Sequence, residues 1–130
     1  MNFWIEVSQT DLQTKRKATL AKGRAVLWEQ GLQCSISYRE SDGTQVALEV
    51  AENSLKVKRL GEATSELTFI ANQKTQGKVS SEYGDFYIEI VTHKYLHNDK
   101  FIVVEYDVMN EDVVLERFRF VWKVRREEDE

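Results

Sequence analysis

Apolar and polar residues alternate with a period of two along most of this chain. Between positions 86 and 92, for example, Phe86, Ile88 and Ile90 share one face, and Tyr87 and Glu89 share the other. This period predicts β-strands with one buried face. The pattern recurs in runs around positions 33–39, 45–50, 55–58, 67–71, 78–83, 101–108 and 113–124.

Short clusters of turn residues, such as Ser41-Asp42-Gly43 and His97-Asn98-Asp99, separate these runs and favour hairpins between neighbouring strands. We count about nine or ten strands at a spacing of roughly 10–12 residues, which is typical of a sandwich or a barrel. Closure into a barrel removes the exposed edges of a flat meander, and the absence of proline fits a ladder with few free edges. We predict an all-β fold, a single closed antiparallel up-and-down barrel of about eight to ten strands.

The segment Thr10–Trp28 is the ambiguous part of the pattern. It is rich in polar residues, and it is compatible either with a bent strand or with a short helix near Asp11–Lys17 followed by a strand. Glycine tolerates a bend within a strand, so we favour a strand that bends at Gly23.

Composition and charge describe one ordinary globular domain. The chain of 130 residues is assigned to a single domain over residues 1–126, with an acidic segment 127–130 that we expect to fray. The formal charge is −4 and the basic residues are scattered along the sequence, so we expect no nucleic-acid binding. No apolar run could span a membrane and no signal peptide is recognisable. The single cysteine, Cys34, cannot form an internal disulfide, and the cytoplasm is the expected location.

A set of landmarks over most of the chain then points to a known family. The landmarks, in chain order, are Gly23, Ile36-Ser37-Tyr38-Arg39-Glu40, Val57-Lys58-Arg59-Leu60-Gly61, Leu67-Thr68-Phe69, Tyr83-Gly84-Asp85-Phe86 leading to Thr92, and Glu105-Tyr106-Asp107-Val108. In their order and spacing the chain resembles the YwiB-like family of small bacterial proteins, a domain of unknown function placed with the calycin-type β-barrels. It departs from the family at Arg39, where an acidic residue is common. The resemblance implies a calycin-like, or lipocalin-like, barrel and implies no activity.

Strand parity predicts an ion pair inside the barrel. Glu40 shares the face of Ile36 and Tyr38, and Arg59 shares the face of Val57, so both charges are expected to point inward. A buried charge is costly unless it is paired, which makes the two residues natural partners. An unpaired Arg59 would instead favour an anionic ligand, such as a carboxylate.

The candidate ligand-binding residues are the predicted inward polar side chains Tyr38, Glu40, Arg59, Tyr83 and Tyr106, and Thr92 has the same parity. Two interpretations remain open. The side chains either satisfy one another and fix the strand register at the mouth of the barrel, or they orient a small ligand against apolar walls.

Other chemistry is less well supported. His93 and His97 are four residues apart, but on a strand this spacing separates them by about 13 Å, so we expect no metal. Glu105 and Asp107 share a strand face that we expect to meet solvent. No catalytic motif is recognisable, and no cofactor is expected. Trp122 is predicted to lie in the core. Core closure is the favoured role of Trp4 and Trp28, and the alternative is an exposed patch that binds a partner or a second copy of the chain.

The sequence thus predicts a non-enzymatic binder of a small, partly apolar ligand. The alternative is a structural or interaction protein with a filled barrel that binds a protein partner or itself, and a homodimer is left open. A third class, a hydrolase or isomerase that uses Glu40 at the barrel mouth, is retained for testing.

Overall fold

In a computed structural model, residues 2–126 form ten antiparallel strands that close into one barrel. The strands are β1 (Asn2–Asp11), β2 (Arg16–Gln30), β3 (Gln33–Arg39), β4 (Gln45–Val50), β5 (Ser54–Leu60), β6 (Thr64–Ile70), β7 (Lys74–Ser81), β8 (Gly84–His97), β9 (Phe101–Asn110) and β10 (Val113–Arg126). Each strand pairs with its neighbours in sequence, and β1 pairs with β10. The predicted closed up-and-down barrel is confirmed, with ten strands. The acidic segment 127–130 lies outside the described residues.

The turns between strands lie at the two ends of the barrel. One end carries the connections at residues 12–15, 40–44, 61–63, 82–83 and 111–112. We call it the Glu40 end, because Glu40 begins its second turn. The opposite end carries the connections at residues 31–32, 51–53, 71–73 and 98–100. None of the described residues forms a helix, so none provides a helix that is long and apolar enough to cross a membrane.

The segment Thr10–Trp28 is strand at both ends with a turn at residues 12–15 between them, so the favoured strand is present and the helix is not. The irregularity in the β1–β2 ladder, however, is at Leu20 rather than Gly23. Val7 pairs with Ala21 and Ser8 with Thr19, which leaves Leu20 as an extra residue on β2. A bulge of this kind bends a strand without requiring glycine.

The barrel interior is filled at mid-height by aromatic side chains from several strands. The Tyr106 ring packs against Phe69 at 4.8 Å between centroids and against Phe118 at 5.7 Å. Phe120 stacks on Trp122 at 5.2 Å. Because these residues come from β6, β9 and β10, the aromatic layer crosses the lumen and divides it.

The tryptophans do not share one role. Trp122 is in the core at 1% exposure, as predicted. The expected core closure by the other two is wrong, since Trp4 is 39% and Trp28 is 71% exposed. Both lie on the outward parity of strands whose inward residues are buried, such as Phe3 and Leu27. The indole rings therefore stand on the outer wall of the barrel.

Candidate functional site

The Glu40 end of the barrel is open. A cleft of about 710 Å³ lies there between the β3–β4 and β5–β6 turns. Its inner wall consists of lumen-facing residues that are only partly buried: Arg59, Ser65, Leu67, Val79 and Ile88. The strand register explains why these residues meet, because Arg59 pairs with Ser65 and Ser65 pairs with Val79 across β5, β6 and β7. The cleft is thus the mouth of the lumen above the aromatic layer.

Gly77 makes room for two of these apolar side chains. A Cβ atom at this position would overlap the Cδ2 methyl of Leu67 and would lie 3.1 Å from Cγ1 of Ile88. The β6–β7 ladder also stops after three paired positions, and the hydroxyl of Thr75 donates a hydrogen bond to the carbonyl of Thr68 beyond them. The apolar wall of the cleft therefore depends on a strand that has no side chain at this point.

The ion pair predicted between Glu40 and Arg59 is present. Nη2 of Arg59 donates a hydrogen bond to Oε1 of Glu40, whose side chain is only 4% exposed. Arg59 itself is 37% exposed and reaches the cleft. Its Nε atom is buried and has no hydrogen-bond partner among the described residues. The pair therefore has one well-covered carboxylate and one guanidinium that is partly accessible from the mouth.

Backbone hydrogen bonds in the β3–β4 turn fix the position of Glu40. Its own N–H donates to the carbonyl of Thr44 at 2.8 Å, and its carbonyl accepts from Gly43 at 2.9 Å. The next residue, Ser41, donates to the carbonyl of Leu20, the bulged residue of β2, at 3.0 Å. The bulge in β2 thus supplies an acceptor that ties this turn to the barrel wall.

Tyr38 lies below Glu40 on the same lumen-facing side of β3 and is buried. Its hydroxyl oxygen accepts a hydrogen bond from Nε1 of Trp122 at 2.8 Å. Burial raises the pKa of the Tyr38 phenol well above its usual value, against the opposing effect of the indole hydrogen bond. Tyr38 is therefore a neutral group that satisfies the buried indole, and the bond links β3 to β10 across the lumen.

Tyr106 belongs to the aromatic layer on β9 and is also buried. Burial raises the pKa of its phenol, and the positive charge of Arg59 opposes that rise. Thr92, its partner across the β8–β9 ladder, is fully buried, and its hydroxyl has no hydrogen-bond partner among the described residues. Four of the five candidate residues, Tyr38, Glu40, Arg59 and Tyr106, thus surround the same part of the lumen.

The inward orientation predicted for Tyr83 is wrong. The residue occupies the two-residue β7–β8 turn and is 85% exposed. Its backbone N–H donates to the hydroxyl of Ser81 at 3.1 Å, and the following Gly84 has a φ of 118°. The period-two pattern stops at the end of β7, so parity no longer predicts where this side chain points.

A second polar cluster, on the outer wall, was misjudged from the sequence. Asp107 was expected to be solvated, but its side chain is 5% exposed. Its Oδ2 atom lies 2.8 Å from Nε2 of His93, and Oδ1 lies 3.1 Å from Nε of Arg117 without the alignment of a hydrogen bond. His93 is the extra residue of a bulge in β8, which aims its ring at β9. A bulge is not visible in a period-two pattern, so the sequence carried no signal for this cluster.

The two histidines point to different partners. His93 contacts Asp107, whereas the ring of His97 lies 3.2 Å from the carbonyl of Glu52 and stacks on Tyr95. Among residues 2–126, no group of three histidine, cysteine, aspartate or glutamate side chains is arranged to hold a metal ion. Cys34 is partly buried, and burial raises the pKa of its thiol, with a further contribution from the charge of Glu29.

The fold and the site together define a small, closed, ten-stranded β-barrel with an open, partly apolar mouth. A family model described as Domain of unknown function (DUF1934) matches residues 5–120, and the chain belongs to that family. The crystal structure of the ywiB protein from Bacillus subtilis matches with a TM-score of 0.71 and 15% sequence identity, over 96% of this chain and 89% of that chain. No curated protein sequence matches the chain. The resemblance to the YwiB-like family is thereby confirmed, and the structural match, at this identity, is evidence for the fold and is consistent with a calycin-like barrel.

Proposed function

We propose that this protein is a non-enzymatic binder of a small, partly apolar molecule at the Glu40 end of the barrel. The observation that carries the proposal is the cleft of about 710 Å³, in which Leu67, Val79 and Ile88 form an apolar wall beside the guanidinium of Arg59. Ligand pockets commonly have volumes of about 300–1,000 Å³ and combine apolar walls with a few polar groups that fix orientation. Tyr83 remains in the proposal only as a rim residue.

The ion pair determines the charge of the ligand that we propose. Glu40 already neutralises Arg59, so a carboxylate entering the cleft would compete with the buried carboxylate that is hydrogen-bonded to the guanidinium. A neutral molecule with a hydrogen-bond acceptor avoids that competition, since a guanidinium has donors besides the one given to Glu40. We therefore propose a ligand that is neutral at its polar end.

The depth of the lumen limits the size of the ligand. Tyr106 and Phe118, in the aromatic layer, occupy the lumen below the mouth. A molecule at the mouth would consequently rest on aromatic faces instead of threading through the barrel. This favours a compact molecule over a long acyl chain.

A pair of environment-sensitive dyes tests the proposal. Neutral N-phenyl-1-naphthylamine and anionic 8-anilino-1-naphthalenesulfonate are titrated into the protein and their emission is followed. Val79→Trp fills the mouth, and Ser80→Trp places the same ring at the next position of β7, on the opposite face. Ser65→Phe is a second filling variant, should Val79→Trp fail to fold by circular dichroism.

We expect saturable binding of the neutral dye to the wild type and to Ser80→Trp, with weaker binding of the anionic dye. Both filling variants should lose the binding. If a folded filling variant binds the neutral dye as well as Ser80→Trp does, the mouth is not the site.

The alternative is an interaction protein, and it is favoured by exposed apolar residues at the opposite end, where Leu32 is 93% and Trp28 is 71% exposed. Light scattering coupled to size exclusion distinguishes a homodimer from a monomer. The cytoplasm is the location we propose, because an unpaired thiol at Cys34 suits a reducing compartment.

The absence of catalysis is also part of the proposal. Its support is that Glu40, the buried acid beside the mouth, is paired with Arg59. Replacement of Glu40 by glutamine provides the test, since an activity found with any substrate and lost in this variant would place the protein among the enzymes.

A further inference from the structure

The outer wall of the barrel collects basic residues that are far apart in sequence. The exposed members on β10, β2, β3 and β5 form a surface that we call the basic band: Lys22, Arg24, Arg39, Lys58, Lys123 and Arg125. The strand register places them together. Trp4 pairs with Arg24 on one side and with Arg125 on the other, and Glu6 pairs in the same way with Lys22 and Lys123.

Two adjacent clefts follow the band. One, of about 410 Å³, contains Trp4 and Glu6 with three of the basic residues, Lys22, Lys123 and Arg125. The other, of about 360 Å³, has Arg24, Arg39 and Lys58 around an apolar floor that includes Val26. The band is therefore grooved on both sides of β2, and each groove combines cations with apolar surface.

The charge of the band contrasts with that of the opposite wall. On β7 and β8, Lys74 lies 3.7 Å from Glu89, and Lys78 lies 3.6 Å from Asp85. On the band Lys58 lies 3.5 Å from Glu66, but Lys22, Arg39 and Lys123 form no ion pair with any residue of 2–126. Although the chain has a net charge of −4, the two clefts of the band are lined by six basic residues and one acidic residue, Glu6.

Exposed indole rings accompany this charge. Trp4 lies within the band, where it pairs with Arg24 on β2. Trp28 is exposed on the same outward face of β2 as Arg24, four residues further on, which is about 13 Å along the strand. Exposed aromatic rings beside cations are the combination that binds unpaired bases and their phosphates, because bases stack on the rings while the cations contact the backbone.

We propose that the basic band binds single-stranded nucleic acid. The expectation that the chain binds no nucleic acid rested on the scattering of basic residues along the sequence, and the barrel register brings them together. Self-association through this wall would place one set of cations against another, which is unfavourable. A duplex keeps its bases stacked internally and cannot use Trp28, so single strands are the preferred form.

The test measures fluorescence anisotropy of fluorescein-labelled 12-mers of deoxythymidine and of uridine, with a mixed-sequence duplex as comparison, in increasing salt. We expect the single strands to bind at low salt. The logarithm of the association constant should fall linearly with the logarithm of the salt concentration, with a slope of about −0.7 for each phosphate contacted. Lys22→Gln combined with Lys123→Gln should make this slope less negative by about 1.4, because two phosphate contacts are lost. The matched control, Lys74→Gln combined with Lys78→Gln, makes the same change of charge on the opposite wall and should leave the slope unchanged.

The stacking component is tested separately. Trp28→Ala should weaken binding by about tenfold, whereas Leu32→Ala, which removes an exposed apolar side chain in the adjoining turn, should have no effect. The proposal is overturned if no single strand binds at low salt, or if both lysine pairs matter equally. It is also overturned if polyglutamate or vesicles containing phosphatidylserine compete as well as unlabelled single strands do, because an anionic protein or a membrane would then be the better partner.

Discussion

The hydrogen bond between Trp122 and Tyr38 provides the sharpest test of how the lumen is held together. Replacement of Tyr38 by phenylalanine removes one oxygen atom and leaves the ring in place. The indole N–H of Trp122 then loses the acceptor that now lies 2.8 Å away. Trp122 is 1% and Tyr38 is 7% exposed, so bulk water cannot substitute for the lost oxygen.

The magnitude follows from the burial of the donor. A buried polar group that loses its partner costs about 1–3 kcal/mol, and the near-complete burial of this indole places the loss at about 2 kcal/mol. For a domain of this size, such a loss lowers the melting temperature by about 7 °C. The volume change is that of a single oxygen, so little of the loss comes from a cavity.

Urea unfolding followed by circular dichroism measures the effect, and the slope of unfolding free energy against urea should not change. Tyr87→Phe is the matched control, because Tyr87 is 59% exposed and loses the same atom to solvent. We expect the control to remain within about 0.5 kcal/mol of the wild type. If Tyr38→Phe is equally close to the wild type, the indole N–H has another acceptor, and the bond between β3 and β10 does not hold the lumen together.

Three further predictions concern the ion pair, Tyr95 and the cleft wall. Arg59→Met should lower the unfolding free energy by about 2 kcal/mol, because it leaves the carboxylate of Glu40 buried without its cation, whereas Glu40→Gln should cost less than half as much; equal losses in urea unfolding would contradict this. Burial raises the pKa of Tyr95 to about 12, so its phenol resists ionisation in the fold but ionises at about pH 10 in the unfolded chain. Stability should accordingly fall between about pH 10 and pH 12, and Tyr95→Phe should make that fall shallower; an unchanged profile would refute the contribution. Gly77→Ala should lower the unfolding free energy in urea by about 1–2 kcal/mol, because the new methyl must displace Leu67. A stabilised variant would show that Leu67 can move aside without cost.

The strands were predictable because their signal is local. A barrel with one buried face imposes a period of two on each strand, and short turns connect neighbours, so the pattern in β3, β4 and β9 can be read without knowledge of the partner strand. The same logic placed Tyr38, Glu40 and Tyr106 in the lumen correctly. It failed for Tyr83, which lies where the period ends in a turn.

Bulges are the main reason for the remaining errors. At Leu20 and His93 an extra residue enters one strand, and the parity of all following side chains is reversed. Such a shift depends on which partner hydrogen bonds form, and nothing in the alternation of apolar and polar residues marks it. The burial of Asp107 beside His93 was therefore invisible before the strands were paired.

The sequence by itself determined the strand class, the closure of the barrel and the ion pair at its mouth, since each follows from periodicity and from the cost of burying an unpaired charge. Only the tertiary structure decided which end of the lumen is open, how the aromatic layer divides it, and that scattered basic residues form one wall. These properties depend on the register between strands, which brings residues from opposite ends of the chain together, as Trp4 and Arg125 are on β1 and β10. A local pattern cannot specify them, because the same alternation is compatible with many registers.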